Sequence, residues 1–170
     1  MRKFVRRLVR FALRNSRLLN LAYNGLHYPD GAIAGSAMLE VQGTLTLQGR
    51  FAVGEGSNLE VPAGTTLIIG DGCRIGRDVQ LQPGAKIELK DHASLQDRCT
   101  ILGDVRIGRH CLFAPNVYVS SGRHWHDLEP SRYIKDQDAM VLERGLPDGS
   151  VLSDPVIIED DCWIGINVVV

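Results

Sequence analysis

A branched or aromatic apolar residue recurs at every sixth position through most of this 170-residue chain. A second column of small or apolar residues lies two positions before each of them and includes Cys73, Ala85, Cys99, Cys111 and Cys162. Because residues i and i+2 of a strand point to the same side, each pair predicts a very short strand with two inward side chains. The six-residue ladder consists of Val41, Leu47, Val53, Leu59, Ile69, Ile75, Leu81, Ile87, Leu95, Ile101, Ile107, Phe113, Val119, Ile158, Ile164 and Val170.

Strand-and-turn units of six residues cannot enclose a core one at a time, but stacked units bury one continuous apolar interior. The ladder therefore predicts an all-β domain, a parallel β-helix, over residues 26–170. A β-sandwich is the alternative, and it would need hairpin turns every 8–12 residues instead of a fixed period. The ladder slips in phase between Leu59 and Ile69 and between Ile87 and Leu95, where we expect extra residues at corners.

The four cysteines all fall in the inward column. An even cysteine count is also compatible with two disulfides or a metal site. However, the chain has no C-x-x-C pair and no zinc-type cluster of cysteine and histidine. Since a small, soft residue fits beside Leu, Ile or Val in a core, the pattern favours buried, reduced thiols in a reducing cytoplasm.

The charge is divided unevenly along the chain. Seven of its 19 Lys and Arg residues lie in residues 1–25, which contain no acid, so residues 26–170 hold 12 basic and 20 acidic residues. An acidic body disfavours nucleic-acid binding. On a helical projection, the apolar and cationic residues of 1–25 separate into two halves, which predicts a basic amphipathic helix. We keep two roles open for this helix, a cap on the solenoid and a peripheral contact with anionic membrane lipids.

The chain contains no apolar run of the roughly 18 residues needed to cross a membrane. Arginines interrupt its N-terminal segment every few residues, unlike the apolar core of a signal peptide. These features predict a cytoplasmic protein, or one held peripherally on the inner face of the cytoplasmic membrane. The ladder stops in mid-coil at Val170, so we expect the sequence to be part of a longer protein.

Several hexads resemble the repeat of the left-handed β-helix, or hexapeptide-repeat, acyltransferases. The clearest are Ile69-Gly-Asp-Gly-Cys-Arg, Ile75-Gly-Arg-Asp-Val-Gln, Ile107-Gly-Arg-His-Cys-Leu and Ile164-Gly-Ile-Asn-Val-Val. The segment Val119-Ser-Ser-Gly-Arg-His124 and the later Trp163-Ile-Gly165 resemble the sugar O-acetyltransferases of colanic-acid and O-antigen synthesis. The resemblance implies left-handed winding, acetyl-CoA as co-substrate and a sugar hydroxyl of a surface-polysaccharide or lipopolysaccharide precursor as acceptor. It also implies a homotrimer with its active sites between subunits.

The repeat is interrupted over residues 120–155, a loop excursion long enough to suggest a function. In the related enzymes this loop carries the catalytic histidine, which implies that His124 is a general base in direct acetyl transfer. His126 is the alternative base, because two residues on it would point the same way in an extended segment. Asp127 and Glu129 are candidates to orient the imidazole.

The resemblance implies further contacts on the solenoid. Trp163 and Gly165 would border the acetyl-CoA channel, and Asn116 and Ser121 are candidate contacts to the acceptor. No metal is expected. Two alternatives remain: a structural or assembly protein that keeps the solenoid without the reaction, and a γ-carbonic-anhydrase-like metal hydratase. The hydratase needs three converging histidines, and the phase slip after Ile87 predicts that His92 and His110 lie in different columns.

Overall fold

The computed structural model describes residues 31–122, 124–144 and 154–170 and shows a parallel β-helix. The amphipathic helix expected over residues 1–25 lies outside the described residues. Three faces of short strands surround the core. In the described part of the chain, face one consists of six strands, β1 (Gly31–Ile33), β4 (Phe51–Val53), β7 (Arg74–Ile75), β9 (Ser94–Leu95), β11 (Leu112–Phe113) and β14 (Trp163–Ile164).

The other two faces share one larger sheet, because two of its strands bend around a corner. Face two is formed by β2 (Met38–Val41), β5 (Asn58–Val61), the first part of β8 (Gln80–Leu89), the first part of β10 (Thr100–Ile107) and β12 (Tyr118–Ser120). Face three is formed by β3 (Thr44–Leu47), β6 (Thr66–Ile69), the second parts of β8 and β10, and β13 (Val156–Ile158). All of these pairings are parallel, as a solenoid requires.

The register along face one measures the length of each coil. The pairs Gly31 with Phe51, Ala52 with Arg74, Arg74 with Ser94, Ser94 with Leu112 and Leu112 with Trp163 give steps of 20, 22, 20, 18 and 51 residues. The last step exceeds the 18-residue coil before it by 33 residues. These extra residues leave the solenoid between β12 and β13, and they contain the helix α1 (Ile134–Glu143).

The ladder residues form the interior, as their spacing predicts. Ile69, Leu81, Ile101, Ile107 and Phe113 are fully buried. The inward placement predicted for Ala85 is wrong, because Ala85 is exposed. The corner after Leu81 holds extra residues, so the inward pair on the next face is Ile87 and Leu89, both buried.

The corners require a left-handed backbone at one position. Among the described residues, seven other than glycine have a positive φ there, and most are Asp, Asn or His, which tolerate this conformation best. They are Asp78, His92, Arg98, His110, Asn116, Asp161 and Asn167. Carboxylates of neighbouring coils stabilise the same corners: Asp91 Oδ1 accepts from Asp71 N at 2.9 Å, and Asp160 Oδ1 accepts from Arg109 N at 2.7 Å. The solenoid is therefore fixed by backbone geometry at the corners and by apolar packing between them.

Candidate functional site

The excursion leaves the solenoid at a tightly packed corner. Ser121 lies directly after β12, and its buried hydroxyl accepts a hydrogen bond of 2.6 Å from Asp104 N. Ser121 N donates to Leu102 O at 3.3 Å. Gly103 lies underneath with φ +88°, and a Cβ at that position would collide with Ser121 Oγ. The Ser121 hydroxyl thus holds the base of the excursion, and its contact with an acceptor stays a prediction.

A carboxylate from the excursion helix holds His124. His124 is exposed, and its Nδ1 lies 2.7 Å from Asp138 Oδ2. The other oxygen of the same carboxylate, Oδ1, accepts from Trp125 N at 3.0 Å. Asp138 therefore binds both the imidazole of His124 and the backbone of the next residue, which fixes the ring relative to the helix.

The protonation of this pair follows from its hydrogen bonds. The Trp125 N–H and then the His124 ring hold the pKa of the Asp138 carboxyl below its usual value. An ionised carboxylate only accepts hydrogen bonds, so Nδ1 of His124 carries the hydrogen and donates it to Asp138. Whenever the ring is neutral, this tautomer has its lone pair on Nε2. This arrangement of carboxylate, Nδ1–H and basic Nε2 is the one used by general-base histidines.

Helix α1 is held in place by Gln137, the residue before Asp138, and this positions Asp138 next to His124. Gln137 is only 1% exposed, its Oε1 accepts from Glu129 N at 3.1 Å, and its Nε2 donates to Arg132 O at 3.2 Å. These two bonds tie the turn before the helix to the helix itself. Val141, one turn further on, is also 1% exposed and anchors the helix by burial. The position of Asp138 is therefore set by the buried contacts of its neighbours in the helix rather than by its own surface hydrogen bond to His124.

The other polar residues of the segment take different partners. His126 Nδ1 donates to His124 O at 3.2 Å, a bond to a backbone carbonyl and not to a carboxylate. Glu129 pairs with Arg132 at 2.9 Å, and Asp127 is exposed. The carboxylate that contacts His124 is thus Asp138 rather than Asp127 or Glu129. The sequence does not indicate this contact directly, because His124 and Asp138 are 14 positions apart and no local spacing rule links them. The available signal is only that residues 134–143 can form a helix that packs back toward His124.

The remaining candidates lie on the solenoid. Trp163 is 79% exposed on the outer surface of face one, in register with Leu112, and Gly165 follows in the same coil. Asn116 occupies a left-handed corner, where its Oδ1 accepts from Arg98 Nε at 2.7 Å and its Nδ2 donates to Asn167 Oδ1 at 3.0 Å. Within the described residues, no hydrogen bond joins Trp163, Gly165 or Asn116 to His124.

A second pair of histidines lies on another corner of the solenoid. His92 and His110 stack with ring centroids 4.8 Å apart and planes 16° apart. The prediction that they lie in different columns is wrong, because the extra corner residues come before Ile87, upstream of both histidines. The coil between them has the regular 18 residues. In the part of the chain that the structure describes, no group of three or more His, Cys, Asp or Glu side chains is arranged to hold a metal ion.

Fold and site together define a parallel β-helix with a histidine–aspartate pair on an excursion between two of its faces. No protein-family model matches the chain, and no solved structure matches it. Within residues 31–122, 124–144 and 154–170, no helix is long and apolar enough to span a bilayer.

Proposed function

We propose that this chain is a left-handed hexapeptide-repeat acetyltransferase that moves the acetyl group of acetyl-CoA to a sugar hydroxyl. The acceptor class is a surface-polysaccharide or lipopolysaccharide precursor. One observation carries the proposal: the exposed His124, on the excursion that interrupts the repeat, is hydrogen-bonded through Nδ1 to a carboxylate at 2.7 Å. That contact prepares an imidazole to accept a proton, the task that acyl transfer to an alcohol requires.

The proposed reaction is direct transfer. His124 Nε2 takes the proton of the sugar hydroxyl while the hydroxyl oxygen attacks the thioester carbonyl carbon and forms a tetrahedral intermediate. The intermediate collapses by breaking the carbon–sulfur bond, and the imidazolium returns its proton to the CoA thiolate. Asp138 stabilises the imidazolium that exists between the two proton transfers. His126 is the less suitable base, because a backbone carbonyl stabilises an imidazolium less than a carboxylate does.

Acetyl-CoA would bind along the solenoid beside Trp163 and Gly165. The exposed indole of Trp163 offers an apolar surface that a pantetheine arm or a neighbouring subunit could cover. Leu112, its register partner, is 54% exposed and enlarges the same surface. We propose a homotrimer in which such outer faces pack together and the excursion of one subunit completes the active site of the next. Peripheral membrane contact through residues 1–25 remains part of the proposal, as does a cytoplasmic location.

The second candidate is a structural or assembly protein of the same fold. Two polar residues that were expected to contact an acceptor favour this candidate. Ser121 binds the backbone at the base of the excursion, and Asn116 binds the corner residue of the neighbouring coil. A protein without catalysis would use both residues in this way. The two candidates differ in whether acetyl-CoA is consumed.

Release of free CoA thiol with a panel of sugars tests the choice. The acetyltransferase should turn over acetyl-CoA, and His124→Ala should reduce the rate by about 10²–10⁴-fold, the usual contribution of a general base. His126→Ala is the matched control two residues away, and it should retain most of the activity. Turnover that is absent, or unchanged in His124→Ala, would favour the structural protein.

A further inference from the structure

Two cysteines occupy adjacent interior positions on either side of the excursion. Leu112 N donates to Cys162 O at 2.9 Å, and Leu112 pairs in register with Trp163. The residues before them, Cys111 and Cys162, therefore face each other across neighbouring strands. Both are free thiols, and they lie at the same corner, with Cys111 Sγ donating to Glu159 O at 3.0 Å and Cys162 Sγ to Asp160 O at 3.9 Å.

The other two cysteines do not have such a neighbour. The interior column of face one runs Cys73, Ala93, Cys111, Cys162, so Ala93 separates Cys73 from Cys111. Cys99 lies in a different column, between Val79 and Val117. Among the described residues, Cys111 and Cys162 are thus the only cysteines that are direct register neighbours.

We propose that Cys111 and Cys162 form a redox-sensitive pair that a peroxide oxidises to a disulfide, linking the coil before the excursion to the coil after it. Neighbouring strands lie about 4.8 Å apart, within the range of about 4.4–6.8 Å between Cα atoms that a disulfide spans. The bond would close a segment of the chain that contains both His124 and Asp138. The pair needs no substrate and is independent of the acetyl-transfer proposal.

The chemistry proceeds in two steps. The Cys162 thiolate attacks one oxygen of hydrogen peroxide, breaks the O–O bond and becomes a sulfenic acid, while hydroxide leaves and takes up the thiol proton as water. The Cys111 sulfur then attacks the sulfenic sulfur, the S–S bond forms, and the S–O bond breaks with loss of a second water. Two thiols are oxidised and one peroxide is reduced to two waters. Cys162 is only partly buried, whereas Cys111 is buried and burial raises the pKa of its thiol, so the more accessible Cys162 is the first nucleophile.

The excursion itself provides the readout. Lys135 and Arg144 are exposed in the segment between the two cysteines, so trypsin can cut the chain there without touching either thiol. The full chain is treated with hydrogen peroxide under native conditions, its remaining thiols are blocked, and it is digested with trypsin. We expect a Cys111–Cys162 cross-linked peptide by mass spectrometry. When digestion is limited to a cut in the excursion, the two halves of the chain should migrate together on a denaturing gel without reductant and separately with it.

Alanine variants of the cysteines supply the controls. Alanine fits the interior column of face one, because Ala93 already occupies a position in it. Cys111→Ala and Cys162→Ala should abolish the cross-link, whereas Cys73→Ala and Cys99→Ala should retain it. Far-UV circular dichroism checks that each variant keeps the β-helix. Thiols that stay reduced, separate sulfinic acids on Cys111 and Cys162, or cross-links that involve Cys73 or Cys99 would each overturn the proposal.

Discussion

His124 Nδ1 lies 2.7 Å from Asp138 Oδ2, although one residue belongs to an irregular segment and the other to a helix 14 positions later. The same carboxylate accepts from Trp125 N through its second oxygen. A single side chain thus fixes the ring orientation, the ring tautomer and the local backbone.

Replacing Asp138 by Asn tests the charge. The amide oxygen of Asn can still accept from Trp125 N, so the backbone contact survives, but the uncharged group stabilises the imidazolium less. We expect kcat to fall by about 10–100-fold with little change in KM, since a charge-assisted hydrogen bond contributes about 1.5–3 kcal/mol. ¹⁵N shifts of the ring should also show a larger share of the tautomer with hydrogen on Nε2. Asp127→Asn is the matched control, and equal losses in both variants would contradict the assignment.

Replacing Gln137 by Leu tests how the helix positions Asp138. Leucine fills a similar volume but removes the part-buried hydrogen bonds to Glu129 N and Arg132 O, each of which contributes about 0.5–1.5 kcal/mol. We expect faster hydrogen exchange over residues 124–143 and unchanged exchange in the solenoid strands. Lys135→Ala, at an exposed position of the same helix, should leave both unchanged. If the solenoid loses protection together with the excursion, the two do not open separately.

The acid stability of the excursion should follow Asp138. Its folded pKa is lower than the ordinary value of 3.8, first because of the Trp125 N–H and then because of His124. A lowered folded pKa means that the ionised form stabilises the fold above pH 3.8, and that this stabilisation is lost as the pH falls through the lower folded value. The Trp125 amide proton, followed by NMR from pH 6 downward, should shift in that acid range. In Asp138→Asn the shift should be absent.

The hexad ladder predicted the solenoid because each rung obeys a local rule. Ile75, Leu95 and Phe113 are all buried, and their inward direction follows from strand alternation alone. The rule failed at Ala85, where the corner holds extra residues and the next inward pair moves to Ile87 and Leu89. The number of residues in a corner depends on its turn geometry, which periodicity does not specify.

The candidate site was only partly visible in the sequence. His124 was identified through its resemblance to a motif, but its carboxylate partner depends on how the excursion folds back. That folding relies on the buried side-chain amide of Gln137. Glutamine is usually exposed in folded proteins, so the sequence gives no sign that this residue is buried. The stacking of His92 on His110 does not follow from the sequence for a related reason: the periodicity places the phase slip after Ile87, whereas the extra corner residues come before it.

The corner carboxylates offer a test of solenoid stability. Asp91 Oδ1 accepts from Asp71 N at 2.9 Å, one coil earlier. Asp91→Ala removes that acceptor and should lower the free energy of unfolding by about 1 kcal/mol. Asp91→Asn keeps a side-chain oxygen and should lose less. Chemical denaturation of both variants measures the difference, and equal losses would show that the hydrogen bond to Asp71 N contributes little.

Two corner glycines separate backbone strain from collision. Gly64 and Gly72 both have positive φ, +82° and +70°, so alanine at either site should cost about 1–2 kcal/mol of left-handed strain. A Cβ at Gly64 would have nothing within 4 Å, whereas one at Gly72 would collide with the ring of His92. Gly72→Ala should therefore destabilise the protein more than Gly64→Ala in thermal or denaturant unfolding. Adding His92→Ala removes the ring, so the double variant should recover toward the loss seen for Gly64→Ala. No recovery would mean that the backbone, not the stacked histidine, sets the requirement for glycine at that corner.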